Sequence, residues 1–150
     1  MKKILCAIDL SEGSSKVVGA AAGITQALGA ELRLIHIFDH PLYNLPTGFN
    51  PPAGYSAALL EADKGIRQHL EERLKEQLDS LEGSDFKVDC RLAEGPAAQQ
   101  IVEYAREEKY ELIIMGTHGY SGLKHALLGS VAERVVRTSE VPVLIIPTRE

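Results

Sequence analysis

The chain contains no tryptophan, and aromatic residues make up only 5% of its 150 positions. With so few rings, aliphatic side chains must fill the interior. Cysteine is nearly as scarce. Cys6 and Cys90 fall in different strand-like runs with no paired spacing, which argues against a disulfide framework or a cysteine metal site and reads as two buried free thiols. Basic residues are outnumbered, 16 Lys and Arg against 21 Asp and Glu, giving a net charge of −5. That balance argues against an extended basic face, and hence against nucleic acid as a partner. Long apolar runs are missing too. The opening MKKIL run stops at Asp9, too short for a signal peptide or a membrane span, so the expectation is a cytoplasmic protein without membrane insertion.

Familiar phosphate signatures are absent as well. There is no G-x-x-x-x-G-K-[ST], and no G-x-G-x-x-G follows the first strand-like run. That run lacks the paired acids of a phospho-acceptor receiver domain, and the fifth lacks its following lysine. Ser11-Glu-Gly-Ser-Ser does not match the SGGxDS loop of ATP-splitting ligases.

What remains has a regular order. KILCAID (3–9) is a short apolar run, as expected of a strand covered on both faces. Residues 14–28 read as a helix rich in small residues, with Ser11 or Ser14 available as its cap. Gly19 and Gly23 weaken that helix, so packing on the sheet must hold it. ELRLIHIF (31–38) is a second strand, and 39–55, with four prolines, a long excursion. A helix is expected over 56–82, with Leu59, Ile66, Leu70, Leu74, Leu78 and Leu81 forming one stripe. A third strand is expected over 86–92, and a helix opening at Gly95-Pro96 and reaching about Glu108. ELIIM (111–115), VAERVVR (131–137) and VPVLIIP (141–147) complete the alternation as strand, helix and strand. Strict alternation implies one α/β domain over 1–150, a parallel sheet with helices on both faces and right-handed crossovers.

Between the fourth strand and the last helix lies GTHGYSGLKHALLGS (116–130), with four of the thirteen glycines. Read alone, it is either a glycine turn closed by a serine cap or an anion cradle at a helix N-terminus. Its spacing, Gly116-x2-Gly119-x9-Gly129-Ser130, resembles the G-x2-G-x9-G-[S/T] loop of the universal stress proteins, specifically their ATP-binding branch. The resemblance extends to the first strand closing on Asp9, to LIHIFD, to EGPAAQQIVEYA and to SEVPVLIIP, and so covers essentially the whole chain apart from 39–55. Ala7 departs from the proline that some nucleotide-binding members have there.

The resemblance implies a doubly wound five-stranded parallel sheet of order 3-2-1-4-5, whose switch point lies between the carboxyl ends of strands one and four. It implies ATP, with Mg²⁺, at Ala7, Asp9, Ile37, Met115, Gly116, His118, Gly119, Gly129, Ser130 and Val131. Ile37 would offer backbone groups to adenine, and Ser130 would meet phosphate at the helix start. Asp9 can be a structural cap or a ligand residue, accepting from ribose or adenine or acting through Mg²⁺. The implied protein is an ATP-binding stress-response regulator, a nucleotide-dependent switch or partner-binding protein. It would pair as a homodimer through Val143–Ile146 and answer to a regulatory protein partner. Two alternatives share the site: a slow ATPase or phosphotransferase, and an interaction module whose nucleotide is structural. Catalysis needs a positioned base and a cation. The loop offers only His118 and Lys124, with Asp9 nearby and no arginine, so no catalytic residue is assigned. His36 and His40 lack a third ligand, and no metal site is assigned either.

Overall fold

The computed structural model describes residues 1–40, 46–117 and 128–148. Five strands alternate with four helices: β1 (Lys3–Ala7), α1 (Ser14–Leu28), β2 (Glu31–Phe38), α2 (Tyr55–Asp79), β3 (Val88–Glu94), α3 (Ala97–Glu107), β4 (Leu112–Gly116), α4 (Ser130–Thr138) and β5 (Val143–Ile146). The strands form one parallel sheet of order β3-β2-β1-β4-β5, the order the resemblance implied.

Alternation along the strands divides the interior into two aliphatic layers. Ile4, Cys6, Leu32, Leu34 and Ile114 face one side, where α1 covers them with Val17, Val18 and Ala21 and α2 with Leu74. Leu5, Ala7, Ile35, Ile37, Ile113 and Met115 face the other, under Ala98, Ile101 and Ala105 of α3 and Ala132 and Val135 of α4. Two helices on each face make the sheet doubly wound. Cys6, fully buried in the first layer, has its thiol pushed up to about 12 by burial, while Cys90 is only partly buried; neither is bonded to the other. No helix among the described residues is long and apolar enough to cross a membrane.

Several boundaries differ from those read in the sequence. β1 ends at Ala7, so Asp9 stands two residues beyond the strand. Neither serine caps α1. Its N-cap is Gly13, because the Ser11 and Ser14 hydroxyls are both engaged by Asp9. Gly19 and Gly23 lie on the outer face of α1, where an added Cβ would meet nothing within 4 Å; the opposite face, with Val17, Val18, Ala21 and Thr25 buried, holds the helix to the sheet.

β3 runs two residues later than expected, from Val88 to Glu94, because its register with β2 decides its ends: Leu32 pairs with Val88, and Phe38 with Glu94. The next rung, Gly95 N–H to the Phe38 carbonyl, places Gly95 at φ 127, where a Cβ would also lie 2.9 Å from Gln100 Cγ. Only glycine suits both conditions. Pro96 then serves as N-cap, and α3 begins one residue later.

The stripe on α2 is only half used. Leu74 is 2% exposed, with Leu70 and Leu78 packed beside it, but Ile66 is 47% exposed, and the helix ends at Asp79, leaving Leu81 to be buried from the following turn. Length explains this. A helix of 25 residues is about 37 Å long, whereas the eight residues of β2 span about 26 Å. The first turns of α2 therefore overrun the sheet. They are tied down by polar groups instead: Asp63 lies 3.4 Å from His40 and 3.7 Å from Arg67, and Arg67 pairs with Glu94.

This difference along one helix is measurable. Leu74→Ala should cost about 2–5 kcal/mol of unfolding free energy, and Ile66→Ala less than about 0.5 kcal/mol. Urea unfolding curves of the two variants should separate them, and equal losses would contradict the overrun.

Candidate functional site

The connections from β1 and β4 leave in opposite directions, β1 through α1 toward β2 and β4 through α4 toward β5. Nothing can cross the gap between their carboxyl ends, so a crevice opens there. It holds a cavity of about 220 Å³. Ala7, Asp9, Ile37, Met115, Gly116, Gly129, Ser130 and Val131 all line it, which is every sequence-selected residue the structure describes. His118 and Gly119 lie outside the described residues, as do Tyr43, Lys124 and His125.

One end of the crevice is backbone. The last rung of β1 is Ile8 N–H to the Ile35 carbonyl, at 2.9 Å. Residues two apart on a strand turn their N–H and C=O the same way. Ile37 therefore points its own pair into the lane that β1 has vacated, while its side chain is buried in the layer beneath. A donor and an acceptor stand side by side there. Phe38, the last residue of β2, bonds to the β3 side.

The other end is a helix start. Gly129, not a serine, is the N-cap of α4, and among the described residues no side chain caps the first turn. Ser130 is the first helical residue. The N–H groups of that turn have no acceptor within the helix and favour an anion. Glu133, the acid of this turn, is paired with Arg137. Gly129 has extended backbone, φ −68, so its missing side chain matters for close approach rather than conformation. Its N–H bonds the Thr117 carbonyl at 2.6 Å, which clasps the two feet of the intervening loop.

Asp9 stands between these ends. Its Oδ1 accepts from the Ser11 N–H at 3.0 Å, the Ser11 hydroxyl at 2.6 Å and the Ser14 hydroxyl at 3.2 Å. Three donors orient the carboxylate and leave Oδ2 for a ligand. Leu10, next in the chain, takes φ 62 with its side chain almost fully buried, so the turn is held from both sides.

Sequence reasoning missed the residues that shape this acid. Asp9-x-Ser11-x2-Ser14 at a strand end was a usable signal, since hydroxyls two and five residues after a carboxylate can bond it. His36 was seen only as a failed metal ligand, yet it lines the crevice. Its Nδ1–H donates to the Ile8 carbonyl at 2.8 Å, which leaves Nε2 as the acceptor of the neutral ring. Burial lowers its pKa; the bond to Ile8 and the charge of Asp9 act the other way, and Arg73 adds to the lowering. Thr117 and Thr148 also line the crevice, and nothing in their sequence context announced it. Among the described residues, no group of three or more His, Cys, Asp or Glu could hold a metal ion.

A parallel, doubly wound sheet with a backbone donor–acceptor pair, a fixed carboxylate and a helix start around one switch-point crevice defines an α/β protein with a candidate ligand site at that crevice. The chain belongs to the universal stress protein family, which matches residues 1–147. It is 34% identical to universal stress protein MJ0531 of Methanocaldococcus jannaschii over 97% of this chain and 81% of that one. It is 31% identical to universal stress protein MJ0577 of the same organism over 97% and 94%. The solved structure of MJ0577 superposes with a TM-score of 0.84, covering 99% of this chain and 97% of that one. A universal stress protein solved in complex with cAMP shares the fold at 23% identity and a TM-score of 0.71, over 99% and 98% of the two chains.

The buried ring gives a pH test. His36 should be neutral at pH 7, with Nδ1 protonated, and titrate below the ordinary 6.5. Between its folded pKa and 6.5 the unfolded chain binds more protons, so His36 withdraws stability as pH falls through that window and none above it. Nitrogen-15 NMR of the imidazole reads both tautomer and midpoint; a midpoint at or above 6.5 would contradict the burial.

Proposed function

We propose that the crevice binds adenine nucleotides, ATP foremost, and that this single-domain protein is a cytoplasmic, nucleotide-responsive stress regulator rather than a dedicated enzyme. The observation that supports this most directly is the Ile37 N–H and C=O pair facing the vacated lane. Adenine presents an amino donor beside a ring-nitrogen acceptor, the complement of that pair. Guanine presents the reverse order and leaves both backbone groups facing like partners. The base would lie over the Ala7 and Met115 side, the ribose would donate to the free oxygen of Asp9, and the phosphates would meet Gly116, Gly129, Ser130 and Val131. His118 and Gly119 join the set on the resemblance alone.

Mg²⁺ would accompany the phosphates, held by their oxygens and by water and neutralising their charge; a pose in which the ion reached Asp9 Oδ2 would replace the ribose contact there. Asp9 itself reads as an acceptor fixed by three donors, not as a base aimed at water, which favours regulation over ATP hydrolysis.

Calorimetry should show ATP with Mg²⁺ binding more tightly than GTP. Gly129→Val, whose backbone angles tolerate a side chain, should abolish binding with the fold intact, and Ser130→Ala should weaken it by about 1.5–3 kcal/mol. Normal ATP binding by both variants would reduce the loop to a turn.

The regulatory output would run through assembly and an as yet unidentified protein partner. β5 is an edge strand, its Leu144 is 37% exposed, and its outer backbone groups invite a second strand. Pairing of Val143–Ile146 with its two-fold mate would give an isologous homodimer. Light scattering at micromolar concentration should return twice the 16.3 kDa of the chain; a monomer mass would refute the pairing.

A further inference from the structure

β5 does not end the crevice; Thr148 beyond it does. Ile146 faces the α1 layer, and Thr148, two residues on, continues that side and settles on the α1 N-cap. A Cβ built on Gly13 would lie 3.1 Å from Thr148 Cβ and 3.2 Å from Cγ2, so the threonine sits directly against that glycine. Its polar side turns to the loop. Thr148 N–H donates to Thr117 Oγ1 at 3.1 Å, and the two hydroxyl oxygens are 3.0 Å apart. Thr117 also anchors the glycine loop, since its N–H bonds the Ile146 carbonyl and its carbonyl accepts from Gly129.

Counting hydrogens at this pair is decisive. Two hydroxyls supply two protons, and the bond between them uses one. Thr117 Oγ1 is further occupied as acceptor by the Thr148 N–H. Whichever hydroxyl donates to the other, one proton is left over, and both side chains line the crevice. A surplus donor seeks an acceptor. Position says which. From Ile37 on β2 to the end of β5 the sheet is crossed by three strand spacings, roughly 14 Å, beyond a nucleoside but within reach of its phosphate chain.

We propose that Thr148, acting with Thr117, is a phosphate-end contact of the site, so that the segment following β5 belongs to the ligand-binding machinery. The proposal rests on the adenine-nucleotide reading for the base end, but claims separately that this end binds an anion. Seated on Gly13 and bonded to Thr117, Thr148 also joins the β1–α1 turn to the foot of the glycine loop, so an anion here would be met by both halves of the crevice at once.

The test compares wild type, Thr148→Val and Thr148→Ser by calorimetry with adenosine, AMP, ADP, ATP and pyrophosphate, with thermal unfolding to verify the fold. Thr148→Val should lose roughly 10- to 100-fold in affinity for the ligands whose phosphates reach the pair. It should leave adenosine unchanged, and Thr148→Ser should bind like wild type. Equal losses for adenosine and ATP would make Thr148 a wall and overturn the proposal, as would unchanged ATP and pyrophosphate affinity in Thr148→Val. Wild type that binds pyrophosphate in a Thr148-dependent way but no adenine compound would keep the anion contact and reject the adenine reading. Wild type that binds none of the five would end both.

Discussion

Between Ala7 and Asp9 the central strand leaves the sheet while its neighbour β2 runs on for three more residues, and the site follows from that mismatch. A parallel sheet satisfies its backbone by pairing each strand on both sides. Ending β1 early withdraws that partner from Ile37 at the one place where no crossover can replace it, because the connections of β1 and β4 diverge. The turn that carries β1 away must then be firm. Leu10 takes a left-handed backbone and buries its side chain, and Asp9 gathers Ser11 and Ser14 around one oxygen. One geometric event thus supplies an exposed donor–acceptor pair and an oriented carboxylate.

The rest of the molecule holds that crevice to shape with modest means. Without tryptophan, two thin aliphatic layers do the packing, one under α1 and α2 and the other under α3 and α4. Asp9 apart, the ion pairs that tie elements together lie outside the crevice lining. Arg33 binds Asp89 with both arms of its guanidinium and also reaches Tyr104, at the opposite end of the strands. Arg67 and Asp63 secure the overhanging start of α2. At the crevice itself the donors are neutral backbone and hydroxyl groups. Such donors discriminate by geometry, and they would let an anion bind without a dedicated cation on the described strands and helices.

Much of this was legible because it depends on local pattern. Apolar runs of five to eight residues between turn signals located four of the strands, alternation located β3 to within two residues, and the glycine spacing located the feet of the loop, with the family resemblance to say what such a loop serves. The misreadings share a cause. The stripe on α2 is real as a period, yet Ile66 is exposed because the helix outruns the sheet that would have covered it. The ends of β3 moved because its register with β2 outweighed the composition of its own residues. Ser11 and Ser14 look like helix caps in isolation and are claimed by Asp9, two and five residues earlier, because the turn after β1 aims both hydroxyls at its Oδ1.

Thr148 marks the boundary between the two kinds of knowledge. The order of elements, the burial of both faces of the sheet and the position of the loop were written in spacing, since hydrophobic period and glycine position act over a few residues. No local signal could place Thr148 against Gly13 and Thr117, which are 135 and 31 residues away along the chain. That contact exists because β5 lies beside β4 and runs parallel to it, delivering its end to the same edge of the sheet as the start of α1. Sequence pattern determined the alternation of elements, and the family resemblance added the strand order and the place of the crevice. Tertiary structure decided which hydroxyls, carbonyls and carboxylate oxygen face into it, because those directions are set by strand register and by where each strand stops.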